Sequence, residues 1–275
     1  MTLSSLLLLI LFWSDFAPTP NVFLITAAST IAFQLLFMFF IRKRNSIPAK
    51  AGIQKHYRWI PDQVRDALRE DIRSPLITAL SLTLLLKANA IWIFPLAAFL
   101  AMASKFTIRV QDKHIFNPAN FGIVACLVAL PDLVWVSPGQ WGSAVWLGFI
   151  LLCLGVLVLS KARRGDIAIF FLLSWAALIF GRALWLGDPL TIPFHNMQSG
   201  ALLIFAFFMI SDPKTTPDHW SGRLIFAFVI ALIGYILQYE FQVREGIFYA
   251  LFITCLCTPL LDLMLKDKRY QWGKT

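Results

Sequence analysis

Apolar stretches of 12 to 20 residues recur from Leu3 to Leu265, most of them parted by short polar connectors. A chain built this way has no place to bury its apolar surface in one soluble core, so a bilayer must serve as its solvent. With 59% hydrophobic and 14% charged residues, it departs from soluble domains on both counts. The expectation is a single membrane domain over residues 1–275, all-α in class and multi-pass. Ten segments can be marked: Leu3–Phe16, Val22–Ile41, Pro75–Leu86, Ala90–Phe106, Pro118–Val136, Ser143–Ser160, Ile167–Leu186, Ser199–Ile210, Leu224–Tyr239 and Ile247–Leu265. Leu3–Trp13 resembles a signal-peptide core, but without a charged start or a small-residue cleavage site it is taken as a first helix.

A formal charge of +9 could point to nucleic acid. The basic residues, however, cluster beside apolar segments, the pattern that orients membrane proteins, so nucleic acid is not expected as a partner and lipid is. Placing both termini in the cytoplasm assigns 21 of the 24 Lys and Arg to cytoplasmic loops, leaving Lys87 and Arg244 outside and Arg182 within a segment. Both termini are therefore expected on the cytoplasmic side of the membrane. Cys126, Cys153, Cys255 and Cys257 all sit in apolar segments and read as buried hydrophobes, not as a disulfide or zinc framework. No metal site is expected. HExxH, CxxC, P-loop and GxGxxG are all missing from the sequence, which leaves metal hydrolysis and nucleotide binding unsupported.

Two segments are short for a bilayer. Pro75–Leu86 and Ser199–Ile210 have 12 residues each, about 18 Å of helix against a hydrocarbon core of about 30 Å. They are segments three and eight of ten, and both open with a serine able to cap a helix, in "SPLITALSL" and "SGALLIFAF". Two five-helix halves with an odd number of crossings each would be inverted relative to one another, and such repeats with discontinuous helices frame midplane sites in transporters. The alternative is a pair of ordinary tilted helices extended into their polar flanks.

The loop 42–73 differs in character. Its stretch "SIPAKAGIQKHYRWIPDQVRDALRED" looks like a translated bacterial repetitive DNA element, making 46–70 an insertion in a cytoplasmic loop. A basic membrane-surface loop with His56, Tyr57 and Trp59 at the interface is the plainer reading.

Chemistry concentrates in "SKFTIRVQDKHIFNPANFGI" and "GALLIFAFFMISDPKTTP". Asn117-Pro118 is a good helix start, with Asn as cap and Pro at the first helical position, and its free N–H groups favour an anion or an electron-rich ring edge. Asp212-Pro213 closes segment eight on the same side. Polar groups near membrane depth need partners, so Asn117, Asn120 and Asp212 mark a candidate pocket. Mutual capping of two loops would account for Asn117 and Asp212 equally well. Arg182 is expected to snorkel or to pair with Asp188, His195 to be solvated, and His114 to lie near the turn without a second ligand.

These residues carry a resemblance to RnfD and NqrB, integral membrane subunits of bacterial redox-driven ion pumps, with "SPLITALSLTLLL", the "FNPA" turn and "FFMISDPKTTP" in the family's order. A further likeness, through "NPAN" and "WVSPGQWG", is to stand-alone relatives found beside enediyne biosynthesis clusters. The resemblance implies a ten-helix inverted-repeat fold, flavin-mediated electron transfer and other redox subunits as partners. It places a covalent FMN on a threonine of an "SGAT"-like motif, aligned here with Ser199, Gly200, Ala201 and Leu202. Leucine has no hydroxyl, so no covalent FMN is expected. Non-covalent FMN or riboflavin at Asn117, Asn120 and Asp212, or a quinone, remains compatible, with Ser199 and Gly200 as further contacts. A channel or carrier for a small solute, or a structural subunit without cofactor, is the alternative function. The near absence of charge at deep positions argues against ion pumping by this chain alone.

Overall fold

A computed structural model describes residues 19–45, 74–110, 113–138 and 165–265. Segments Leu3–Phe16 and Ser143–Ser160, the stretch 46–70 expected as an insertion and the basic end 266–274 lie outside the described residues.

The described chain is mostly helical. In its first part come α1 (Pro20–Asn45), α2 (Ser74–Leu85), α3 (Ile93–Thr107) and α4 (Pro118–Ala129). The second part has α5 (Gly165–Leu186), α6 (Thr191–Met197), α7 (Gly200–Ile204), α8 (Trp220–Tyr235), α9 (Gly246–Cys255) and α10 (Thr258–Met264). Four very short strands modify the all-α expectation. β1 (Leu86–Ala88) pairs antiparallel with β4 (Val134–Val136), and β2 (Arg109–Val110) with β3 (Lys113–His114). Segment five therefore does not run as one helix to Val136: α4 ends before Pro131, whose ring disfavours helix at Leu130, and the chain then extends into β4.

Three helices are long and apolar enough to cross a bilayer, over Pro20–Phe40, Gly165–Leu186 and Trp220–Glu240. At 21 or 22 residues each, they reach about 32 Å. Two bent pairs, Thr191–Met197 with Gly200–Met209 and Gly246–Cys255 with Thr258–Met264, each turn by 47° and raise the count to five if each pair is one span. The last segment is thus two helices and not one. α2 has 12 residues and passes directly into β1, and α7 is only five residues long before the backbone widens into a π turn over Phe205–Met209. Both expected short segments are short.

Local signals explain the helix ends. Pro20 and Pro118 occupy first-turn positions, where a missing N–H costs nothing. Gly187, at φ +74°, closes α5 in the left-handed region, with Pro189 soon after. Packing follows one order in both parts: α1 lies on α3 and α3 on α4, while α5 lies on α8 and α8 on α9, with α4 meeting α9 between them. Phe171, Phe205, Phe226 and Phe248 are wholly enclosed in the shared core, whereas Leu24, Phe39, Val128, Leu173 and Trp185 point outward, as a lipid-facing surface requires.

Candidate functional site

The turn before α4 is held as its sequence foretells. Asn117 is extended, and its side-chain oxygen accepts the Asn120 backbone N–H at 3.1 Å, with Pro118 next in line. Its Nδ2 donates to the Met209 carbonyl at 3.4 Å and to Asp212 Oδ2 at 3.5 Å. Asn120 donates through Nδ2 to the Phe248 carbonyl of α9 at 3.2 Å. Its Oδ1 is buried with no hydrogen-bond partner, and the residue is 1% exposed. A buried acceptor left unpaired costs about 1–3 kcal/mol, so the fold tolerates it or a ligand satisfies it.

Asp212 lies in the turn beyond the π turn, outside the spanning helices. Its Oδ2 faces His114 Nε2 at 3.4 Å, its Oδ1 accepts the Lys214 N–H at 3.0 Å, and its carbonyl accepts the Thr215 and Thr216 hydroxyls. Burial pushes its carboxyl up, but the His114 hydrogen bond and charge, with Lys214, outweigh this and leave it below its ordinary value of 3.8. A depressed folded value stabilises the protein above the unfolded one. Stability from this group should therefore be full above about pH 4 and fall as acid titrates the folded carboxylate. Melting in detergent between pH 6 and pH 3 should show that decline, and Asp212→Asn should flatten it.

A second knot joins the same region. Lys113 Nζ contacts Asp218 at 2.7 Å and Asp262 at 3.0 Å, and Asp262 Oδ1 accepts the Asp218 N–H at 2.9 Å. Arg223 binds Asp166 and the Asp218 carbonyl, and Thr258 donates to the Thr215 carbonyl. The loop 211–219 is thereby fastened to the β2–β3 hairpin, α5 and α10. Nothing in the sequence singles out Lys113, Asp218 or Asp262, which stand 44 to 149 residues apart along the chain.

The five cofactor candidates fall into two groups. Asn117, Asn120 and Asp212 come together. Ser199 and Gly200 open the other end of the broken helix, separated from Met209 by a run of about 15 Å. There Ser199 Oγ donates to the Pro138 carbonyl at 2.7 Å and caps the Leu202 N–H at 3.4 Å. Leu202 is buried. A shallow cleft of about 460 Å³ lies near this end, lined by Phe180, Leu190, Thr191, Phe194, His195 and Gln198. Arg182 pairs with Asp188 at 3.5 Å and stacks its guanidinium 4.9 Å from the Tyr239 ring. His195 is exposed. Among the described residues no cluster of three metal-ligating side chains occurs.

Residues 137–271 match the NQR2, RnfD, RnfE family. The D subunit of an ion-translocating oxidoreductase complex from Shewanella amazonensis is 30% identical over 129 residues, 46% of this chain and 36% of that protein. Its counterpart from Erwinia tasmaniensis is 30% identical over 147 residues, 52% of this chain and 40% of that protein. The matched stretch spans well under half the length of these relatives. Apolar helices of spanning length mark the chain as a membrane protein. Residues 137–271, which carry the Ser199–Asp212 broken helix with its π turn, are thus what makes the chain similar to the NQR2, RnfD, RnfE family.

Proposed function

We propose that the chain is an integral subunit of a membrane electron-transport system, built as two inverted five-helix repeats with both termini cytoplasmic, and that it seats a non-covalent flavin against Asn117, Asn120 and Asp212. The family match and the oxidoreductase-complex relatives support the redox role and partner subunits. The matching order of helix packing in the two parts supports the repeat.

The observation that carries the ligand is the buried, unpartnered Asn120 Oδ1. It is an acceptor, so it fits a ring that brings an N–H donor. An isoalloxazine has one between its two carbonyls, whereas an oxidised quinone offers acceptors only and would leave Oδ1 unsatisfied. Asn117 Nδ2 would turn one of its two N–H groups from Met209 or Asp212 to a neighbouring ring carbonyl. Bound there, a flavin would supply one- and two-electron chemistry. Asn117 would orient the ring, and the dry helix start would exclude water. With leucine at position 202, no phosphoester anchor is available at that residue.

An absorbance and fluorescence scan of the detergent-purified chain, before and after denaturation, tests this. Flavin released into the supernatant is the expected result. Asn120→Leu, which removes the acceptor, should lower the flavin content at least tenfold with little loss of folded protein. A colourless protein would end the redox reading.

A further inference from the structure

The site around Asn117 and Asn120 is closed. The two residues are 6% and 1% exposed, so no ring reaches Asn120 Oδ1 unless a wall gives way. Two of its walls are apolar. Toward α3, Gly122 packs so closely that a Cβ would stand 2.6 Å from the Ala97 carbonyl oxygen. Toward α9, the Phe116 ring stacks on Phe252 at 4.6 Å, with Phe121 beside both. A third wall is of another kind: the seam where β3 meets the loop 211–219. Lys113 Nζ crosses it to Asp218 at 2.7 Å and to the Thr216 carbonyl at 3.5 Å, and also holds Asp262 of α10 at 3.0 Å. One residue on, His114 Nε2 faces Asp212 across the same seam at 3.4 Å. Asn117 follows three residues later and itself touches Asp212, so the seam leads to the site.

The chemistry of the walls decides which of them can part. Residues 211–219 read "SDPKTTPDH" and include no large apolar side chain. Lifting them bares little hydrophobic surface to water, whereas separating Phe116 from Phe252 would bare much. The Lys113 and Asp262 side chains keep 19% and 22% of their surface, so water already reaches the outer contacts. Charges that separate there regain hydration, which offsets much of the attraction they lose. Segments with few buried apolar contacts are the ones that open first in a folded protein. Pro213 and Pro217, with fixed φ, stiffen the loop so that it moves as a piece. Entry between the apolar walls would instead carry a flavin's ribityl hydroxyls through hydrocarbon, at a high desolvation cost.

We propose that the seam between β3 and the loop 211–219 is the mouth of the ligand site. The Lys113 and His114 contacts close it, lifting of the loop from the hairpin opens it, and the ligand enters there from water and not from the bilayer. What passes through rests on the flavin reading above; that the seam opens does not.

Two measurements on the purified full chain in detergent test the mouth. The first needs no ligand. Thr216 is 0% exposed, and cysteine is close to it in size. Thr216→Cys, in a background whose native cysteines are replaced by alanine or serine, should react slowly with a charged, membrane-impermeant methanethiosulfonate. Adding Asp262→Asn, which removes one charge from Lys113 but keeps an oxygen for the Asp218 N–H, should speed labelling about fivefold. Thr215→Cys, 1% exposed, serves where the first variant does not fold.

The second measurement follows the fluorescence of free riboflavin mixed with chain stripped of flavin. Asp262→Asn should raise the rates of uptake and release together and leave the affinity nearly unchanged, a split that a purely structural role would not produce. Lys113→Cys with Asp218→Cys, bridged by a reducible bis-methanethiosulfonate, should slow uptake at least tenfold, and dithiothreitol should restore it. Uptake that is as fast through the bridged seam, or rates that Asp262→Asn does not move, would place entry elsewhere and overturn the proposal. A chain that takes up no riboflavin ends the flavin reading, and the labelling then decides alone: equal rates with and without Asp262→Asn mean that the seam does not open.

Discussion

Valine in place of Gly122 is expected to leave little folded protein in the membrane. A Cβ there would sit 2.6 Å from the Ala97 carbonyl oxygen and 3.2 Å from Ala101 Cβ. The first of these is helix backbone and cannot step aside, so α3 and α4 would have to separate along their closest line of contact. Small residues at such a line are what let membrane helices approach, because lipid offers no hydrophobic drive to hold a looser pair together. We expect a loss of about 3 kcal/mol, at the upper end for overpacking. Gly246 is the matching contact in the second part, where a Cβ would lie 2.9 Å from the Gly234 carbonyl oxygen. Gly181 is the control: a Cβ there meets nothing within 4 Å, and Gly181→Ala should be neutral or slightly stabilising. Size-exclusion profiles of detergent extracts would decide, and a normal peak for Gly122→Val would refute the close-approach account.

Lys113→Met should be nearly as damaging. Its ammonium lies between Asp218 and Asp262, whose side chains are 7% and 22% exposed, and without it two carboxylates face each other in a largely enclosed site. Removing one partner of a buried pair costs about 3–5 kcal/mol, and the partial exposure places this case at about 3 kcal/mol. Asp262→Asn should cost less, since it leaves Lys113 paired with Asp218. Partial recovery of the melting temperature in the double variant Lys113→Met with Asp218→Asn would show that stranded charge, and not lost packing, is responsible. If the double variant melts no higher than Lys113→Met alone, the charge account is wrong.

Much of the architecture could be read from residue patterns alone. Apolar runs located the helices, Asn117-Pro118 located a helix start, and the two 12-residue segments located the short helices. Those signals are local: a cap and the proline after it act within one turn, whatever the rest of the chain does. What could not be read depended on distant pairing. The β1–β4 pair, which ends segment five early, joins residues about 50 apart, and a three-residue strand has no periodicity of its own. The bend after Cys255 does have a local signal, Pro259 in the first turn of α10, but a proline inside one long apolar run does not by itself say whether the helix kinks or stops. In the site, Asn117, Asn120 and Asp212 share a motif order that brought them into view together. Ser199 and Gly200 enter only through the likeness to an "SGAT"-like motif, and they lie at the far end of the broken helix.

The π turn at Phe205–Met209 makes the second part of the molecule sensitive to residue count as well as residue type. A π turn holds one more residue than α-helical geometry needs, so it acts as a phase shifter: the chain beyond it emerges on a different bearing from the one that α7 alone would set. Deleting a single residue there would restore the ordinary pitch and swing the downstream chain by about 100°. Asp212 would then turn away from Asn117 and His114, although no side chain in the site had been altered. Between Phe205 and Met209, a change of length is thus a change of aim.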